Sequence, residues 1–409
     1  MREARVIRPG QTIGILGGGQ LGRMMAIAAR QMGYGVVTLD PTPDSPCGQV
    51  ADHQVVAALD DAKAARELAR RSDVVTYEFE NVDAAVAKAL EQDAHLPQGS
   101  RLLHITQHRL REKAAVRAAG VAVAPFQPAW DAASLRAAVE ALGLPCVVKT
   151  TRGGYDGKGQ WVIRGEEDLA AVVESAFSAR SESAARAGGD PAPGATLASA
   201  RVEPDEVDEA PLIVEGFVPF AAELSVLVAR RQDGRMVSFP PAENIHRDGI
   251  LHLSIVPARL PEAVLAAAVE AAERVARALD AVGVLAVEMF VTREGRVLVN
   301  ELAPRPHNSG HYTLDACDTS QFEQHVRAIC HLELARPKLT SPVVMVNVLG
   351  QHLDGVLREM AAWPGHVKVH LYGKREAKPG RKMGHVNVLA EDVEAALAQI
   401  RRLGVWDRV

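Results

Sequence analysis

The chain has 409 residues, 47% hydrophobic and 24% charged, with a formal net charge of −5. That length requires two or three domains, each burying its own core. The acidic balance argues against a general nucleic-acid binder, which needs surplus cations to displace counterions, and no uncharged apolar run reaches the ~18 residues of a membrane span.

Thr12–Leu16 reads as a buried strand, Leu21–Met32 as a helix and Gly35–Asp40 as a second strand. Between the first two, Gly17-x-Gly19-x-x-Gly22 outlines a dinucleotide-binding turn, with Asp40 placed downstream as a ribose hook would be. A helix near Ala62–Arg71, a strand Val74–Tyr77 and a helix near Val82–Leu90 extend the alternation. The pattern is that of a parallel, doubly wound α/β unit whose ligand edge lies at the carboxyl ends of its strands. Glu78 follows the third strand and falls on that edge.

A connecting stretch with Arg109 and Lys113 leads to Pro125-Phe126-Gln127-Pro128, taken as a domain boundary. Cys146–Lys149 is a strand, TTRGGYDGKGQ a glycine-rich loop and Trp161–Ile163 a return strand. The loop is not a Walker A motif, because Arg152 stands where that motif needs glycine and Gly159 where it needs Ser or Thr. Its glycines permit close backbone approach, and Arg152 and Lys158 bring charge; a plain flexible hairpin fits this motif too. Lys149, taken singly, fits a snorkelling surface lysine equally well. A helix from Asp168 to about Phe177 enters a tract over residues 180–210 rich in Ala, Gly, Pro and Ser, which buries too little to offset its ordering entropy. Strands Leu212–Val214 and Leu224–Val228 follow, Glu215–Val218 offering backbone groups at the first strand's end, and then a helix from Pro261 to about Leu279.

The hairpin Val284–Glu301 carries the most chemistry. With Glu294-Gly295 as a two-residue turn, Arg293 pairs with Arg296 and Glu288 stands opposite Glu301. Cross-strand neighbours lie about 5 Å apart at Cβ, where like charges destabilise, and both acids sit among Val, Leu and Met. A bridging Mg²⁺ removes the conflict; so does a glutamate turned outward or met by an arginine. Alternation puts Asn300 on the other face. Val343–Leu349 and Val367–Tyr372 read as strands, GKREAKPGRKMGH as a basic loop and Val393–Leu403 as the last helix. The cysteines Cys47, Cys146, Cys317 and Cys330 form no C-x-x-C pair and read as buried thiols of a reducing compartment. The N-terminal MREARVIRPGQ has no signal-peptide core, so a soluble cytoplasmic protein is expected.

In this order the strand lysine, glycine-rich loop, strand-end segment and paired acids resemble the ATP-grasp superfamily. GGGQLGRM, KTTRGGYDGKGQW, NELAPRPHNSGHYT and GRKMGH narrow the resemblance, over nearly the whole chain, to the 5-(carboxyamino)imidazole ribonucleotide synthases of purine biosynthesis. It implies an α/β ATP-grasp architecture: a Rossmann-like domain over 1–125, an ATP-grasp domain over 126–335 with a lid over 126–211, and a small β-rich C-terminal domain over 336–409. It also implies a homodimer that uses ATP and Mg²⁺ to carboxylate 5-aminoimidazole ribonucleotide with bicarbonate, through carboxyphosphate.

Carried over by position, Arg109, Lys149, Gly154, Tyr155, Asp156, Gly157, Lys158, Gly159, Gln160, Glu215, Gly216, Phe217, Val218, Glu223 and His246 would surround ATP. Glu288 and Glu301 would hold the metal, with Asn300 beside the nucleotide. Arg305 would meet the bicarbonate or carboxyphosphate. Tyr155, Asp156, His307 and Asn308 would face the imidazole ribonucleotide, Asp156 orienting or deprotonating its amine with Lys158 in support, and Glu78 its ribose. Asp156 taken alone fits turn chemistry as well. Lys374 and Arg381, with the backbone N–H groups of Gln20 and Leu21, would grip the 5′-phosphate; a solvated charge run is the other reading of that loop. Two departures stand out: Ala303 occupies a position where many ATP-grasp enzymes have asparagine, and the 180–210 tract is longer than the family pattern needs. The rival readings are an NAD-dependent oxidoreductase, which leaves the hairpin unexplained, another ATP-grasp enzyme such as the formate-using purine transformylase or a biotin carboxylase, and a non-catalytic nucleotide-binding regulator.

Overall fold

The computed structural model describes residues 5–153, 159–187 and 210–406. The N-terminal sheet is parallel, with β1 (Thr12–Leu16), β2 (Gly35–Asp40), β3 (His53–Val56) and β4 (Val74–Tyr77) in the order β3-β2-β1-β4. Strand order therefore reverses between β1 and β4. Their carboxyl ends flank the crevice where such sheets bind ligands.

A small antiparallel sheet follows, made of β5 (Phe126–Ala129), β6 (Cys146–Thr150), β7 (Gln160–Ile163) and β8 (Leu212–Gly216) in the order β5-β8-β6-β7. The segment read as a boundary thus opens this sheet as its edge strand β5, a place where Pro128 costs no ladder bond. The helix expected to end near Phe177 runs over Glu166–Ala187, and residues 188–209 of the low-complexity tract lie outside the described residues.

The large sheet comprises β9 (Phe220–Arg230), β10 (Met236–Ser238), β11 (Ala242–Arg247), β12 (Ile250–Val256), β13 (Gly283–Thr292), β14 (Val297–Ala303), β15 (Val343–Leu349), β16 (Val367–Leu371) and β17 (Lys382–Leu389). Its order is β14-β13-β9-β11-β12-β15-β17-β16, with β10 on the side of β9. Because β12 pairs antiparallel with β15, the C-terminal region does not form a sheet of its own; it continues the central one. The end of the supposed basic loop, Lys382 to His385, is also strand, since β17 starts at Lys382.

Alternation on the central strands decides where chemistry can sit. Leu224, Val226, Val287 and Met289 point to one face and bury against the helix Glu262–Ala278 through Ala268, Ala272, Val275 and Ala276. The opposite face of the same strands is left to Glu223, Ser225, Glu288 and Phe290, which the β9–β13 register sets side by side.

Candidate active site

The loop after β1 binds carboxylates of its own chain. Gly17 has φ +107°, which permits the turn, and a Cβ on Gly22 would lie 2.9 Å from the Gly17 carbonyl oxygen, so only glycine lets the helix Gln20–Gln31 approach the loop. That helix has no acid in its first turn and no side-chain cap from Gly19. Glu78, from the end of β4, supplies both functions: its carboxylate accepts from Gly19 N–H and, at 3.2 Å, from Leu21 N–H. Asp40 accepts from Gly18 N–H at 2.8 Å and Thr42 N–H at 2.8 Å, so it buttresses the turn and is not poised as a ribose hook. The Leu21 amide, expected to meet a phosphate, is occupied by Glu78 in this structure.

Burial, joined by the charge of Asp40 and opposed by the loop amides, pushes the Glu78 carboxyl up to about 7 from an ordinary 4.5. Between those values the folded chain keeps a proton that the unfolded chain releases, so this group's contribution falls as pH rises and levels off above about 7. Glu78→Gln is expected to flatten the decline of melting temperature between about pH 5 and 7 relative to the parent. Parallel curves for the two proteins would contradict this origin.

One face of the helix Arg109–Ala118 underlies the predicted nucleotide site. Arg109 meets Glu301 at 3.3 Å, Glu112 accepts from Leu302 N–H at 2.6 Å, and Lys113 stands 3.5 Å from Glu215. These are i, i+3 and i+4 positions, hence one helix face. Lys149 on β6 is diagonal to Glu215 on β8 and bonds it at 2.9 Å. Burial drives the Glu215 carboxyl up, but Lys113 and then Lys149 override it and hold it at about 2. Glu112 and Lys113 were not expected in the site; their signal was the helical spacing from Arg109 in a stretch read as a connector.

The hairpin pairs Glu288 with Glu301 as expected, by a different route. The turn has three residues, Arg293, Glu294 and Gly295, the last at φ +78°, so Thr292 and not Arg293 faces Arg296. This shifts the register by one. A bulge at Asn300 shifts it back, because Met289 pairs with Val299 while Glu288 pairs with Glu301. The bulge also suspends strict alternation at Asn300, whose buried Oδ1 has no hydrogen-bond partner among the described residues. Burial, then the charge of Glu301, raises the Glu288 carboxyl above the ordinary range. Glu301 has the arginine partner that the sequence left open, but that arginine is Arg109, itself expected at the nucleotide.

Glu223 on β9 bonds His246 Nδ1 on β11, and the bond and the Glu288 charge outweigh burial to raise the imidazole above its usual value. Beyond β14, Arg305 donates through Nε to Glu80 at 2.5 Å and through Nη1 to the Pro306 carbonyl at 3.2 Å. His307 accepts at Nδ1 from Ser309 N–H at 3.3 Å, so the proton resides on Nε2, which reaches Glu288 Oε1 at 3.1 Å. Burial first, then Arg305, holds this imidazole neutral, which agrees with that tautomer. Asn308 is 8% exposed, and neither of its side-chain polar atoms has a partner among the described residues. Gln321 is fully buried and clamps the segment, accepting from His307 N–H at 2.8 Å and donating to the His307 carbonyl at 2.8 Å. His311 then stacks on His385 of β17 at 4.6 Å, locking the segment to the C-terminal region. Glu80 and Gln321 are further residues that the sequence pattern missed.

The basic segment docks on the N-terminal domain rather than into solvent. Gln49 donates to the Gly373 carbonyl at 3.0 Å, Arg375 meets Asp44 at 3.2 Å, and Cys47 N–H bonds the Gly18 carbonyl at 2.9 Å, so this segment and the glycine loop share residues 44–49 as a base. Lys374 lies over the Tyr372 ring at 5.7 Å. Arg381 is exposed and folds back on its own loop, to the Glu376 carbonyl at 3.1 Å, whereas its neighbour Lys382 faces His307, Glu288 and His246 electrostatically. Gly216 ends β8 after Glu215, and Phe217, 42% exposed, and Val218 follow it. Gly159 and Gln160 open β7 beside Lys149. Gly154, Tyr155, Asp156, Gly157 and Lys158 lie outside the described residues. No helix among the described residues is long and apolar enough to cross a membrane.

Comparison with known proteins accounts for this arrangement. Residues 114–185 and 194–322 match the family model of the ATP-grasp domain, 10–107 that of the ribonucleotide synthetase preATP-grasp domain, and 343–399 that of the phosphoribosylaminoimidazole carboxylase C-terminal domain. The N5-carboxyaminoimidazole ribonucleotide synthase of Bacillus subtilis (strain 168) is 47% identical over 97% of this chain and 96% of its own length. A solved ADP complex of an N5-carboxyaminoimidazole ribonucleotide synthetase superposes with a TM-score of 0.87 at 50% identity, over 98% of each chain. An Aspergillus clavatus N5-carboxyaminoimidazole synthase in complex with ADP and 5-aminoimidazole ribonucleotide gives a TM-score of 0.83 at 29% identity, over 98% of this chain and 99% of that one. With identity of that order along nearly the full length of both partners, the chain belongs to the family of N5-carboxyaminoimidazole ribonucleotide synthases, ligases built on the ATP-grasp fold.

Proposed function

We propose that this enzyme carboxylates the exocyclic amine of 5-aminoimidazole ribonucleotide, with bicarbonate as carbon source and ATP converted to ADP and phosphate. The observation that carries the reading is a continuous line of contacts: Arg109 to Glu301 at 3.3 Å, Glu301 opposite Glu288, and Glu288 to His307 at 3.1 Å, next to the orphaned Asn308 amide. It joins a nucleotide end to an end that lacks only a polar ligand. Bicarbonate oxygen attacks the γ-phosphorus and displaces ADP, giving carboxyphosphate. The amine nitrogen then bonds to the carboxyl carbon, phosphate leaves and the nitrogen loses a proton.

Each part has residues suited to it. Lys149 and Arg109 meet the nucleotide phosphates, and Glu215 to Val218 line the adenine. Glu288 and Glu301 fit a cation, since two half-buried like charges on neighbouring strands favour one; no cluster of three or more ligating side chains exists among the described residues, so nucleotide oxygens would complete the shell. Mg²⁺ there supplies charge neutralisation of the phosphoryl group. Arg305 takes the oxyanion and Asn308 and neutral His307 the imidazole ribonucleotide. Asp156 and Lys158 retain the roles that the family resemblance implies. The enzyme is taken as a cytoplasmic homodimer, which sedimentation velocity of the purified protein tests.

The deciding assay follows ADP release with ATP, Mg²⁺, bicarbonate and aminoimidazole ribonucleotide. Release is expected to require both bicarbonate and the ribonucleotide; release indifferent to the ribonucleotide would overturn the reading. Lys374→Ala is expected to raise KM for the ribonucleotide by roughly tenfold or more while KM for ATP stays within about twofold, as loss of one charge-assisted phosphate contact predicts. A rise confined to KM for ATP would remove Lys374 from the phosphate grip.

A further inference from the structure

The helix Arg109–Ala118 supplies one charged group that no step above uses. Lys113 is 2% exposed, and its ammonium lies 3.5 Å from Glu215 Oε2. Lys149 Nζ bonds the same oxygen at 2.9 Å. Two cations therefore converge on Oε2. The other oxygen, Oε1, is buried and has no partner among the described residues.

A buried carboxylate oxygen without a donor is costly unless a ligand brings one. The segment Glu215–Val218 is read above as the adenine edge, and an adenine base carries an exocyclic amine, a donor. Guanine carries a carbonyl oxygen at the corresponding position, an acceptor, which a carboxylate oxygen repels. We propose that Lys113 is a positioning residue that selects the purine base: by holding Oε2 from below it keeps Glu215 oriented with Oε1 presented to the exocyclic amine of an adenine nucleotide.

The geometry gives Lys113 a task that Lys149 cannot perform alone. Lys149 extends from β6 in the lid sheet and is expected to share its ammonium with the nucleotide phosphates, which weakens its hold on Glu215 once ATP is present. Lys113 extends from a helix tied to the lid by the Arg109 N–H to Thr151 carbonyl bond at 3.0 Å, and from the same face Glu112 anchors Leu302 of β14 at 2.6 Å. Lys113 thus holds Glu215 from a base that is fixed to both sheets. Its removal leaves Glu215 and Lys149 as a neutral buried pair, so no uncompensated charge remains at the carboxylate.

This inference rests on the adenine assignment to Glu215–Val218, and its test reads binding without the carboxylation reaction. Equilibrium titrations of ADP and GDP into the purified full-length enzyme compare the parent, Lys113→Met and Lys113→Gln. Lys113→Met is expected to weaken ADP by about tenfold and GDP by less than about twofold, so the preference for ADP shrinks. Lys113→Gln, which keeps a donor for Glu215, is expected to lose less and guards against a failure of the methionine variant to fold. In a Glu215→Gln background the Lys113 substitutions are expected to cost nothing further, because Lys113 acts through that carboxylate. Unchanged ADP affinity, or equal losses of ADP and GDP, would overturn the proposal. If the parent binds ADP yet releases none in a ribonucleotide-dependent way, the proposed reaction fails and the base-selection result still stands.

Discussion

Glu288→Gln is expected to reduce ribonucleotide-dependent ADP release by at least about 100-fold while leaving the ligand-free protein as stable as the parent or more so. The two halves of this outcome share one cause. Glu288 and Glu301 are direct cross-strand neighbours, and their mutual repulsion in a half-buried setting is the feature on which the proposed cation site rests. An amide at 288 removes one charge from a conflict that the Arg109–Glu301 ion pair relieves only from the Glu301 side. It also keeps an oxygen to accept from His307 Nε2, which reaches Glu288 Oε1 at 3.1 Å, so the surrounding hydrogen bonds survive.

Glu301→Gln is a less informative substitution, because it also breaks the 3.3 Å ion pair with Arg109 and mixes metal loss with nucleotide loss. The measurement for Glu288→Gln is turnover across a Mg²⁺ titration, together with thermal unfolding in chelator. Turnover near the parent's would reject the cross-strand metal site. Restoration by high Mg²⁺ would mean that Glu301 and the nucleotide suffice to hold the ion.

What the sequence disclosed follows a physical division. Elements bounded by their own hydrogen bonds and caps were legible: β1, β2, β4 and β15 fall where short β-branched runs put them, and the final helix begins after the side-chain cap of Asp392, at Val393. Partnerships between distant strands were not. Nothing local in Val343–Leu349 states that β12 is its neighbour, so the sequence does not reveal that the C-terminal domain continues the central sheet. The Glu288–Glu301 pair shows the same limit in miniature. The alternation pattern names both residues, but the three-residue turn and the Asn300 bulge that bring them into register are properties of backbone geometry.

The site divides in the same way. Residues at strand ends or carried by the family resemblance could be named in advance, including Glu78, Lys149, Glu215 and Arg305. The groups that hold them did not, because a supporting residue is recognised by its partner and not by its neighbours in sequence. Glu80 is meaningful only once Arg305 is beside it, Gln321 only once it brackets His307, and Lys113 only once it meets Glu215. Glu78 illustrates the converse. Its position at a strand end placed it on the ligand edge, while the structure adds that its carboxylate caps the Gly19 amide and the Leu21 amide, the latter first assigned to phosphate.

Arg305→Lys is expected to lower kcat by about 100-fold with KM for ATP nearly unchanged, a size typical of losing a preorganised oxyanion donor. The guanidinium is already divided: Nε is committed to Glu80 at 2.5 Å and Nη1 to the Pro306 carbonyl at 3.2 Å, while Nη2 has no partner among the described residues. Burial depresses Arg305, but Glu80's charge and hydrogen bond reverse this and raise it above its ordinary value, so its positive charge is secure. A lysine preserves the charge and loses the fork. Its single ammonium either stays with Glu80 or leaves that carboxylate to reach the anion, and in neither state does it hold the anion in a fixed plane. Glu80→Gln tests the support separately: it keeps an acceptor for Nε but weakens the bond, and about a tenfold loss in kcat is expected. Because both substitutions act on one contact, the double variant is expected to be no worse than Arg305→Lys by more than about twofold. Losses that multiply independently would show that Glu80 acts elsewhere, and a rise in KM for ATP in place of a fall in kcat would move Arg305 from the carboxyphosphate to the nucleotide.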